Sequence, residues 1–212
     1  MARNIDKLIS LGGDSLCQGP AFFRTNLLSS LGDLGRELAN LLKQKNGFYA
    51  FESALHIFPA CQKDGVMDLE KWNDPSLWTK HYENMASGTV FFAEGIYGDQ
   101  FGIRGKEIVR FEAETGLMEP IALSLEEWAR VVINDCNYQT GYPLARNWQQ
   151  VHGPLAPGER LVAIRPFVLG GDFDVANLFA LDAVKAMHYH GDIAIRIRDV
   201  PNGTKITFGI DD

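Results

Sequence analysis

His188 and His190 flank Tyr189 and come closer than any other residues in the sequence to a metal-ligand pair. On a strand their imidazoles would share a face; on a helix they point in different directions. No HExxH signature and no accompanying carboxylate completes a ligand set, so a histidine pair without metal is the better reading. Asp172 and Asp174 alternate around Phe173 on one face of an extended segment, but the remaining ligands of a calcium loop are missing. They read as solvated loop acids or as an acidic contact point for a partner. Ser15 follows Gly12-Gly13-Asp14 without the GxSxG of a nucleophile elbow, and reads as a turn serine. Gly170-Gly171-Asp172 is too short for a phosphate loop; neither GxxxxGKS/T nor GxGxxG after a strand occurs. Carboxylate pairs carry little weight among 27 acids. Glu112 and Glu114 flank a turn, and Glu126-Glu127 begins a helix, where negative charge suits the dipole. Asp99 after Gly98 reads as a turn former, and His56 inside an apolar run as a satisfied core histidine. The residues call for no cofactor and no metal, and they designate no catalytic group.

Composition narrows the classes further. The chain has 212 residues, 46% hydrophobic and 22% charged, the balance of a globular protein of one large domain or two small ones. Its 27 acids against 20 Lys plus Arg give a net charge of −7. That balance speaks against a general nucleic-acid binder or a basic membrane-surface protein, and permits a basic protein partner. Cys17, Cys61 and Cys136 are an odd, scattered set with no CxxC, which predicts no disulfide framework and a reducing, cytoplasmic home. The first residues lack the apolar core of a signal peptide, and no apolar run approaches the roughly 18 residues needed to span a bilayer.

The elements that must position these residues follow from periodicity. Leu31, Leu34, Leu38, Leu41 and Leu42 fall on one helical face, predicting a helix over about 30–45 with Ser29 or Ser30 as its cap. Residues 48–58 are apolar and aromatic, open between a short helix and strands. Asp74-Pro75 predicts a helix start. Residues 89–112 alternate as strands with turns at Gly98-Asp99 and Gly105-Lys106. Ser124-Leu125-Glu126-Glu127 is a capping box opening a helix to about Cys136. The Gly and Pro residues of 137–160 suggest a linker. Strands are expected over 161–164, 176–181 and 205–210; over 182–198 a helix capped by Asp182 is favoured over a strand. The order predicts an α+β fold: a central mixed, mainly antiparallel sheet with helices packed on one side. About 50 residues make a marginal independent core, so a single domain over 1–212 is expected, with 161–212 packed on the rest.

A run of motifs between about 31 and 135 resembles the SUKH superfamily of Smi/Knr-type regulators and bacterial immunity proteins. The similar residues are Lys45-Asn46-Gly47-Phe48, the segment from Phe51 through His56 to Pro59, Trp78 and Tyr82, Phe92-Ala93-Glu94, and Gly98-Asp99-Gln100-Phe101. Glu114-Thr115-Gly116 and Ser124 to Trp128 close the series. The resemblance implies a non-catalytic, toxin-binding role, and no residue role transfers by motif because the toxin-facing surface varies among members. With a net charge of −7, the expected partner is a basic toxin, such as a nuclease from a contact-dependent or type VI competition system. Glu94, Asp99, Asp172 and Asp174 are the expected partner-binding acids. An intracellular scaffold or regulatory binding module is the alternative, and a small-molecule hydrolase a third reading.

Overall fold

The computed structural model describes residues 3–201, 203 and 204. Helix α1 (Asn4–Leu11) buries Ile5 and Leu8, and its first turn is held by a distant side chain. Glu126 accepts from the backbone N–H groups of Asn4 and Ile5. Helix α2 (Gly32–Gln44) buries the expected leucine stripe, Leu34, Leu38, Leu41 and Leu42. Neither Ser29 nor Ser30 caps it: both lie within a 3-10 turn, Leu28–Leu31, and Leu31 holds the cap position without a side-chain bond.

Residues 48–57 form an antiparallel pair, β1 (Phe48–Ala50) and β2 (Leu55–Ile57). Their connection runs through Phe51, Glu52 and Ser53, three successive non-glycine residues at positive φ. The helix expected at Asp74-Pro75 is corrected. The helical turn is α3 (Leu69–Trp72), capped by Asp68, whereas Asp74 accepts from the N–H and Oγ of Ser76 and closes a turn on itself.

The alternating segments form β3 (Thr89–Gly95), β4 (Gln100–Arg104), β5 (Glu107–Phe111) and β6 (Met118–Ala122). The six strands lie in sequence order and every pairing is antiparallel, so the sheet is a meander and not mixed. Its core is aromatic: Trp72, Trp78, Tyr82, Phe91, Phe92, Phe101, Phe111 and Trp128 are all buried. Helix α4 (Leu125–Asn134) starts at Ser124, whose Oγ accepts from the Glu127 N–H at 3.1 Å.

The expected linker is instead two helices, α5 (Cys136–Thr140) and α6 (Tyr142–His152). The breakers sit at their edges. Gly141 forms the joint at φ +72°, Pro143 lies in the first turn of α6, and Gly153 ends it. Ala145 and Trp148 face a second apolar cluster with Ala54, Ile96, Leu161 and Leu178. Strands β7 (Glu159–Ala163) and β8 (Leu178–Asp182) make a separate antiparallel pair. Asp182 then caps helix α7 (Ala183–Ile197), which adds Ala183, Met187 and Ala194 to the main core. The strand expected over 205–210 lies outside the described residues.

Cys17 and Cys61, 44 residues apart in sequence, form a disulfide with Cα atoms 6.3 Å apart, which corrects the expectation of none. Cys136 is free. Among the described residues no helix is long and apolar enough to cross a membrane.

Candidate functional site

Two turns at one end of the sheet, 96–99 and 112–117, meet α5 and the loop after β7. Between them is a cleft of about 540 Å³. Gly141 belongs to its wall: a Cβ there would stand 2.5 Å from the Tyr97 ring, so only glycine lets α5 and α6 turn this close to the sheet. Asp99 reaches into the cleft and is tied down twice, by Arg110 Nη2 and by the Ala113 N–H at 2.9 Å. The Arg110 guanidinium in turn lies 4.7 Å from the centre of the Tyr138 ring, a cation–π contact. Glu112 accepts from the Thr115 hydroxyl, and Glu114 from the backbone N–H groups of Phe167 and Val168.

Burial pushes the Glu114 carboxyl above the usual carboxylate range, against the two N–H groups that favour its ionised form. On the other wall Phe167 and Phe173 stack at 4.0 Å, and Tyr97 stands edge-on to Phe167. Phe173 is 70% exposed and Tyr138 61% exposed, so large aromatic surfaces stand open beside carboxylates. Such a site suits a cationic side chain, which can pair with an acid while its stem lies on a ring.

The four acids expected to face a partner separate in the structure. Asp99 lines the cleft but is neutralised by Arg110. Asp172 and Asp174 are exposed on either side of Phe173 at the cleft margin; Asp174 also caps a short 3-10 turn through the Ala176 N–H. Glu94 is corrected: it does not face a partner but sits in β3, 1% exposed beneath Arg160. Sequence reasoning had set aside Glu112 and Glu114 as turn residues and had not singled out Tyr138 or Arg110. The one usable signal was Phe173, a large ring between two acids in a polar loop.

Glu94 belongs to a different arrangement. Tyr49, His56, Glu94 and Gln100 are directly opposite one another on β1 to β4, forming a polar row across the sheet. His56 Nδ1 lies 3.0 Å and Arg160 Nη2 2.7 Å from Glu94 Oε1, and Trp72 Nε1 donates to Gln100 Oε1 at 2.8 Å. Burial pushes the Glu94 carboxyl up, but Arg160 and His56 outweigh it and hold it below its ordinary value. Burial keeps His56 below its own, against the pull of Glu94.

His188 does not pair with His190 for a metal. It bonds the Leu77 carbonyl and stacks on His81, while His190 is sealed in the core with neither ring nitrogen bonded. Among the described residues no cluster of three or more His, Cys, Asp or Glu side chains could hold a metal ion.

No family model and no curated protein matches the chain. Among solved structures it is similar to the crystal structure of Atu4351 from Agrobacterium tumefaciens, at 11% identity and a TM-score of 0.57, over 87% of this chain and 86% of that one. At that identity the likeness is one of fold.

Proposed function

We propose that the chain is an immunity protein, a binding protein and not an enzyme, which neutralises a cognate basic toxin domain through the acidic, aromatic cleft at the end of the sheet. The cleft carries this reading: Glu112 and Glu114 stand beside the open rings of Phe173 and Tyr138, with Asp172 and Asp174 on the rim. Rings of this kind are common anchors of protein interfaces, and a net charge of −7 draws a basic partner by long-range attraction. The SUKH-like motifs between 31 and 135 support the same role. The toxin is of the nuclease kind expected from a contact-dependent or type VI system, and its neutralisation takes place in the cytoplasm. The Cys17–Cys61 disulfide is the observation against that compartment, since such bonds persist in oxidising surroundings. Alkylation of protein taken directly from cells, read by mass spectrometry, decides it.

Co-expression with the product of the neighbouring gene tests the reading. The wild-type chain protects cells and copurifies with that product. Phe173→Ala and Glu112→Lys each weaken binding by about tenfold or more, the cost of losing an interface anchor. Full protection by a Glu112→Lys, Phe173→Ala double variant would remove the cleft from the interface. The absence of any toxic product from the neighbouring gene favours the regulatory-module alternative.

A further inference from the structure

The polar row of the sheet opens into a second cavity, away from the cleft and independent of its reading. This cavity holds about 430 Å³, within the range of small-molecule sites. Tyr49, Phe58, Trp72, Met67 and Val184 make its walls apolar and largely aromatic, and His56 with Glu94 makes its polar end.

Three facts give that end a purpose beyond folding. First, replacing a buried carboxylate–guanidinium pair by apolar residues of the same volume is often neutral for stability, so packing alone does not call for Glu94 and Arg160 here. Second, the ring of His56 is fixed on both sides, stacked on Tyr49 at 4.4 Å and edge-on to Phe58 at 4.5 Å. Third, its Nδ1 is committed to Glu94. An ionised carboxylate can only accept, so Nδ1 carries the proton and Nε2 presents a lone pair. Nε2 has no hydrogen-bond partner among the described residues, and the ring lines the cavity.

The other charges are already engaged. Arg160 balances Glu94. At the lining, Lys71 donates to the Val66 carbonyl and pairs with Asp68, and Asp182 caps α7. The cavity therefore offers an acceptor of fixed position inside apolar walls, and Asp182 keeps its charge at the exposed rim.

We propose that this cavity binds a neutral, ring-containing small molecule bearing an O–H or N–H group, with the ring packed among Tyr49, Phe58, Trp72 and Val184 and the donor on His56 Nε2. A compound lacking the donor leaves a desolvated acceptor unpaired, so selectivity follows from the polar row and not from shape alone.

The test uses the full chain and two matched pairs of probes, phenol against anisole and indole against 1-methylindole, read by protein NMR shifts and ligand saturation transfer. Phenol and indole bind at millimolar concentration and move resonances of Tyr49, His56 and Trp72. The methylated partners bind about tenfold more weakly, the loss of a hydrogen bond to a buried acceptor. His56→Phe abolishes the discrimination within each pair. Should that variant fail to fold, Val184→Trp, which adds bulk to the cavity from α7 and leaves the residues of the polar row unchanged, carries the test: it abolishes binding of all four probes. Equal binding within each pair, no binding by any probe, or undiminished binding to Val184→Trp overturns the proposal.

Discussion

In the cleft, carboxylates and aromatic rings meet at the surface; behind β7 the same residue types meet in the interior. Glu112 and Glu114 are held by a hydroxyl and by backbone N–H groups, none of which cancels their charge. Glu94 is held by a guanidinium that balances its charge and by a neutral imidazole that donates to it. The first arrangement keeps a negative field directed outward and suits a cation. The second spends its charge internally and leaves one neutral acceptor. How an acid is paired, more than how many acids there are, decides what kind of ligand a cavity can take.

The contrast is most sharply tested at the buried pair. Glu94→Gln strands the Arg160 guanidinium in the interior and lowers stability by about 3–5 kcal/mol, measured by urea unfolding. Adding Arg160→Met restores much of that loss, because the unpaired charge is gone; a loss in the double variant as large as in the single one would show that the pair itself is stabilising.

Next in size is the response to acid. Burial depresses His190 to a pKa of about 4, below the 6.5 of an exposed histidine. The unfolded chain therefore binds the additional proton between these values, and stability falls as pH drops from about 6.5 towards 4. At pH 5 the contribution of His190 to that loss is about 2 kcal/mol. His190→Leu removes this part of the slope, and thermal melts at pH 7 and pH 5 reveal it.

Trp72→Phe is smaller, about 1–2 kcal/mol, because it leaves the Gln100 oxygen without the indole N–H. Smallest is Glu112→Lys, within about 0.5 kcal/mol of wild type in the same unfolding assay, as expected of a partly exposed side chain. A Glu112→Lys chain destabilised as much as Glu94→Gln would erase the distinction between the two regions.

Much of the fold was legible because periodicity reports burial. The leucine stripe of α2, the alternating strands β3 to β5, the capping box at Ser124 and the Asp182 cap of α7 each bind local pattern to local structure. The failures share a different cause. The Gly and Pro residues of 137–160 suggested a linker, yet these residues mark helix ends as readily as loops, and only the burial of Ala145 and Trp148 distinguishes the two. The disulfide was invisible because pairing over 44 residues leaves no trace in spacing. Glu94 misled for the same reason: its partner Arg160 is 66 positions away, so nothing beside it in sequence marks it as buried. The cleft was half legible. Asp99 and the acids around Phe173 were in view, but the convergence of the 112–117 turn, α5 and the 165–174 loop is a property of the tertiary fold alone.

The sheet's sequential order has a consequence in time. Each strand pairs with the next, so the six-stranded meander can zip up from local contacts soon after its own residues are available. Arg160 belongs to a later segment. Until it docks, Glu94 lacks the residue that balances its charge, and water must serve in its place. During synthesis from the N-terminus, the meander is thus complete while its polar row is still wet. The arrival of β7 brings Arg160 onto Glu94 and closes this side of the row, making the last third of the chain the step that commits the interior.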